Sequence, residues 1–149
     1  MVPPSIAAGV DFGAVRIVGA FHNPFAAAFG ITVVRGGRIF WRHAPAHATS
    51  LLDCAHLAHE LVHVWQYQHL KRNGLQLLAD RTYRYRLSPG ARFADFGAEQ
   101  QASIVEDYVR LKGGAGPRRA LRPVPPIEEY ERAIATSADC GRALICGSR

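Results

Sequence analysis

The run His59-Glu60-Leu61-Val62-His63 sets two imidazoles four residues apart with a carboxylate beside the first. On an α-helix such residues share a face one turn apart, so both rings can grip one metal ion while the glutamate is offered to a neighbouring water. Neutral imidazole nitrogens suit zinc, and a site that keeps one coordination position open is catalytic rather than purely structural. The pattern therefore predicts a zinc ion held by His59, His63 and a third side chain, with Glu60 as the general base of a hydrolytic reaction.

Three side chains compete to complete the metal site. His69 stands six residues after His63, where metzincins place the third histidine of HExxHxxGxxH. The glycine that ends the helix in that pattern is replaced here by Gln66, which continues the helix and carries His69 about 120° from the metal face. The methionine turn of those sites is missing as well, since Met1 is the sole methionine. Glu99, in Phe96-Gly97-Ala98-Glu99-Gln100-Gln101-Ala102, and Glu106, two turns later on the same face, stay open as carboxylate ligands.

These residues need rigid elements to hold them. Ser50 with Asp53 starts a helix, and Lys71, Arg72 and Gly74 stop it, giving a buried central helix over about residues 51–73. A second helix is predicted over about 98–111 and a third over 127–138, with Ile127, Tyr130 and Ile134 on one face. Before the central helix, 15–21 reads as a strand, 25–29 as a short apolar helix, and 31–34 with 38–42 as a hairpin turning at Gly36-Gly37. Tyr83, Tyr85 and Leu87 alternate with Arg84 and Arg86, as in a half-exposed strand or extended segment. The stretch 112–126, rich in Gly, Pro and Arg, reads as a linker. The expected architecture is a single α+β domain: a small twisted sheet packed on the central helix, followed by a ligand-bearing helix.

The chain has 149 residues, 48% hydrophobic and 20% charged, which suits one domain with a sizeable core. No run approaches the roughly 20 apolar residues of a membrane span, and no secretory signal is visible. A cytoplasmic location, or export by a non-classical secretion or injection route, is expected. A net charge of +6 draws the molecule towards nucleic acid, anionic membrane surfaces or acidic proteins at low salt, a tendency and not a function. No helix-turn-helix or RNA-reading signature accompanies the arginines, so no specific nucleic-acid partner is expected. Cys54, Cys140 and Cys146 lack CxxC spacing and read as thiols, with a Cys140 to Cys146 bridge as the alternative in an oxidising compartment.

In its order of strand hairpin, His59-Glu60-Leu61-Val62-His63-Val64-Trp65-Gln66 and Glu99-Gln100-Gln101-Ala102, the chain resembles the gluzincins. More narrowly, over about residues 15 to 110, it resembles the metallopeptidase domain found with extracellular contractile injection systems and in Vgr-related bacterial proteins. That resemblance implies a zincin-like fold, Glu99 as third zinc ligand, Glu60 as base, a peptide or protein substrate, and components of an injection or secretion system as partners. A second reading, of another class, is a zinc-binding structural or docking module of such an apparatus with little or no peptidase activity. Many gluzincins orient a histidine with an aspartate four residues after the ligand glutamate. Here that position is Ser103, so the orienting group has to come from elsewhere. Tyr83 and Tyr85 are candidates to stabilise an oxyanion; His56 is expected at the rim of the cleft, and His22, His43 and His47 on loops or the surface.

Overall fold

The elements run α1 (Pro4–Ala7), β1 (Arg16–Val18), α2 (Pro24–Phe29), β2 (Val33–Arg35), β3 (Arg38–Phe40), α3 (Leu51–His69), α4 (Ala98–Lys112) and α5 (Ile127–Ala135). The structure, a computed structural model, describes residues 2–69 and 81–138. The expected helix stop at Lys71, Arg72 and Gly74 lies outside these residues, as do Cys140 and Cys146.

The α+β expectation holds, with a three-stranded sheet in the order β1-β3-β2. β2 and β3 pair antiparallel, Val34 opposite Ile39, and β1 adds in parallel beside β3. The hairpin turns where expected because Gly36 adopts φ of 60°, while Gly37 passes so close to Ala14 that a Cβ would strike its carbonyl oxygen. The strands are shorter than the hydrophobic runs suggested, since β1 ends at Val18 and the chain then bends towards α2. Asn23 caps that helix through its side chain, which accepts from Ala26 N–H, and Gly30 ends it in the left-handed region. Val34 and Ile39 point inwards and, with Ala58, Val62 and Trp65 of α3, form the buried core.

α3 opens on Ser50, whose hydroxyl accepts from Asp53 N–H and donates to the Asp53 carboxylate. Its middle, from Ala58 to Gln66, is buried on every side, as expected for a helix clasped between a sheet and a second helix. α4 packs along it. Gln66 joins the two: its side-chain N–H groups donate to Ala98 O at 3.0 Å and Gln101 Oε1 at 2.8 Å, and Gln101 donates in turn to Phe93 O.

Extended chain from Arg81 to Leu87 runs beside α4 with the predicted alternation: Tyr85 and Leu87 are buried, and Arg84 and Arg86 are exposed. Gln100 holds it by donating to Arg84 O. The stretch read as a linker has a further task. Tyr85 forms a parallel bridge with Ala120, and the fully buried Asp107 of α4 accepts from the main-chain N–H groups of Arg118, Arg119 and Ala120 and from the Tyr85 hydroxyl. One carboxylate thus fixes two segments that have little regular structure of their own. α5 closes that end, burying Tyr130 and Ile134 near Ile6 of α1, with Ser5 donating to Ile134 O.

Asp107→Ala strands three main-chain donors and a phenol in the interior. It is expected to lower the unfolding free energy by about 3 kcal/mol or more in urea titration, whereas Tyr85→Phe, which removes one neutral hydroxyl, costs about 1 kcal/mol.

Candidate metal centre

α3 presents His59 and His63 one turn apart, and α4 brings Glu99 across the helix seam. Glu99 Oε2 lies 3.4 Å from His59 Nε2 and 3.2 Å from His63 Nε2, and all three side chains are largely buried. The candidate ligand atoms lie within 4.8 Å of one another.

The outer nitrogens decide how the rings are held. Glu106 Oε2 is 3.1 Å from His59 Nδ1, and Gln66 Oε1 is 2.9 Å from His63 Nδ1. Each Nδ1–H donates to its acceptor, so that with the rings neutral, as a bound metal requires, their Nε2 lone pairs would face Glu99 and each other. Two lone pairs and a carboxylate oxygen converging from a buried seam form a donor set that suits a divalent transition metal. The residues present therefore fit a metal ion. His59, His63 and Glu99 would hold it.

Without a metal, the same cluster is an ion-pair knot. Burial alone would push His59 down, but hydrogen bonds to Glu106 and Glu99 outweigh it and raise its pKa from 6.5 to about 10. Burial would likewise raise Glu99, yet hydrogen bonds to the two histidines bring it from 4.5 to about 2. Glu106 is lowered too, burial being outweighed by His59 and Arg118.

Glu106 thus takes a different part from that of reserve ligand. It lies behind His59 and is tied by its other oxygen to Arg118 at 3.2 Å. The orienting carboxylate that Ser103 cannot supply comes from one turn further along α4, and Ser103 Oγ itself is buried without a partner among the described residues. His69 is elsewhere: Gln66 does continue the helix, and the His69 ring stacks on Trp65 with Nδ1 near Trp65 O. The role of Gln66 was missed. A glutamine three residues after a histidine on one helix face is a readable signal for a ring-orienting acceptor, beyond its place in the resembling motif and its continuation of the helix.

A cleft of about 430 Å³ opens on the cluster, walled by residues 30–35, by α3 and by the chain at 118–119. Glu60 lines it, 5% exposed, with Oε1 3.7 Å from His56 Nε2. His56 is a rim residue, as expected, hydrogen-bonded to Thr32 and packed edge-on to Trp41. Of the two tyrosines, Tyr83 also lines the cleft, its ring stacked near that of His59. Tyr85 does not: it is spent in the core on Asp107 and Tyr130, a correction to its reading as an oxyanion donor. His43 reaches the cleft wall, while His22 packs on Phe40 and His47 is exposed.

Over 66 residues the chain is 39% identical to the type VI secretion system spike protein VgrG2b of Pseudomonas aeruginosa. The match covers 39% of this chain and 6% of the length of that protein. The chain is thereby related, over that stretch, to a Vgr spike protein. No family model matches it. No solved structure matches it either. Among the described residues no helix is long and apolar enough to cross a membrane.

Three outcomes are expected. Glu99→Ala should abolish stoichiometric metal binding, measured by elemental analysis after dialysis, and His69→Ala should leave it intact. Glu106→Ala should weaken the metal affinity by about 10- to 100-fold, because His59 loses the group that orients it. In chelator, the pH dependence of stability follows from the knot. His59, raised, contributes fully below 6.5 and loses its contribution as pH climbs through about 10; Glu99, lowered, contributes above 4.5 and loses it as pH falls through about 2. Metal-free protein should therefore gain most from the pair between about pH 4.5 and 6.5, a maximum in its melting profile that His59→Gln flattens.

Proposed function

We propose that the chain is a zinc-dependent peptide hydrolase of zincin type, carried as part of a Vgr-related secretion or injection apparatus. The observation that carries this reading is the convergence of His59, His63 and Glu99 at the floor of an open cleft that Glu60 also lines. A purely structural metal site has no need of a carboxylate that is not a ligand beside an open approach.

Zinc held there supplies Lewis acidity towards a substrate carbonyl and eases the ionisation of water. Glu60 takes the proton that the attacking water gives up and passes it to the leaving amine. Burial and the nearby Glu99 raise the Tyr83 phenol above its ordinary value, so it stays an O–H donor available to the developing oxyanion. Gln66 and Glu106 keep the two imidazoles in the tautomer that faces inwards.

A second reading has support of its own. The similarity to a type VI secretion spike protein favours association with a secretion apparatus whether or not the site is active, and taken alone it backs a metal-binding docking module better than a peptidase. Glu60 separates the two. A docking module needs the ligands and has no use for the base.

Glu60→Gln should keep its metal and its fold while hydrolysis of a broad peptide library falls by at least about a hundredfold. If zinc-loaded wild-type protein cleaves nothing in the library, nor its own chain, nor a partner that co-purifies with it, the docking reading replaces the peptidase.

A further inference from the structure

The cleft is charged in a one-sided way. Its carboxylates, Glu60, Glu99 and Glu106, lie at the floor beside the histidines, whereas Arg35, Arg42, Arg81, Arg118 and Arg119 stand along its walls. Two of these arginines already spend hydrogen bonds within the protein, and a third rests on a ring. Arg118 pairs with Glu106, Arg35 donates to the Tyr67 hydroxyl, and Arg81 lies over the Phe25 ring.

Arg119 lies over a ring as Arg81 does, but its ring is the one stacked beside His59. Its main-chain N–H is fixed by Asp107, and its guanidinium lies 5.0 Å from the centre of the Tyr83 ring, which itself stacks beside His59. A guanidinium resting over a ring keeps its hydrogen-bonding capacity. Arg119 Nε is buried and meets no acceptor among the described residues, and the side chain donates no hydrogen bond within them. A buried cationic donor left without an acceptor is costly and rare. Arg119 also lines the cleft one aromatic ring from the candidate metal ligands, so the terminal nitrogens of its fork, which donate to nothing among the described residues, are the ones an acceptor arriving with a ligand can meet.

We propose that Arg119, resting over the Tyr83 ring, is a specificity-determining anchor that takes a carboxylate of the peptide substrate, so that the cleft prefers acidic peptides. The planar fork of a guanidinium matches a carboxylate bidentately, and the remaining arginines add a field that draws anionic chains in. The carboxylate comes from an acidic side chain or from a free C-terminus, which present the same chemistry. This inference rests on the peptidase reading and deepens it.

The test uses zinc-loaded Glu60→Gln protein, to prevent turnover, and Ala/Ser octapeptides bearing an uncharged dye. One peptide carries aspartates and an amidated C-terminus, a second carries neutral side chains and a free C-terminal carboxylate, and a third carries neither charge. Affinities are read by fluorescence anisotropy at physiological ionic strength. One of the two anionic peptides is expected to bind about tenfold or more tighter than the neutral one, and Arg119→Gln should erase that advantage. Arg119→Lys should restore part of it, and Arg84→Gln, which removes an equal charge outside the cleft, should leave it unchanged. Which peptide gains names the source of the carboxylate. Equal affinities for the three peptides, no binding of any, or equal losses in Arg84→Gln and Arg119→Gln would overturn the anchor. Cleavage by wild-type protein is scored separately. Arg119-dependent binding without cleavage removes the peptidase reading and leaves a carboxylate site standing, whereas cleavage without preference for charge removes the anchor and leaves the peptidase.

Discussion

The seam between α3 and α4 buries two imidazoles, two carboxylates and two carboxamides, and polar groups shut away from water must satisfy one another. Nearly every other feature of the site follows from that demand. Gln66 answers His63 with its oxygen and α4 with its nitrogen, so the bond that orients a ligand also sets the spacing of the helices. Glu106 answers His59 in the same way and is itself answered by Arg118. With each Nδ1 engaged, the inner faces of both rings have one remaining direction in which to look, towards Glu99.

Much of this could be read from residue types and spacing, because a helix converts spacing into direction with little ambiguity. His59 and His63 had to share a face, and Gln66 had to carry His69 away from it. The alternation at Tyr83, Tyr85 and Leu87 foretold which side chains turn inwards. What escaped was whatever depends on contacts between residues distant in sequence. Ser103 revealed that an orienting carboxylate was missing at the usual position, but only the crossing of α3 over α4 shows that Glu106 supplies it. The stretch 112–126 has the composition of a linker, and no local pattern discloses that its main-chain N–H groups end on Asp107. Tyr83 and Tyr85 look alike in sequence, and their fates diverge because residues two apart on one side of an extended chain can still meet different neighbours: a cleft in one case, a buried aspartate in the other.

Asp107 shows how an irregular wall can be as well placed as a helix. Beyond the single bridge of Ala120 to Tyr85, the segment carrying Arg118 and Arg119 has no ladder of its own among the described residues, and the carboxylate substitutes for one by gathering three consecutive N–H groups. A single buried charge on a rigid helix therefore positions side chains of a loop relative to the histidines, and does so without a residue of its own in the cleft.

The order of the sheet has a consequence for what can lie along that cleft. β2 is an edge strand, and the residues from Gly30 to Arg35 form the wall opposite the helices. An edge offers main-chain donors and acceptors to any extended chain that comes alongside, and those groups are the same whatever its side chains. Grip and discrimination would then come from different walls: the backbone rail of β2 indifferent to sequence, the arginine side responsive to it. At three residues the rail is also too short to template sheet growth between copies, which a longer bare edge facing an open cleft would invite.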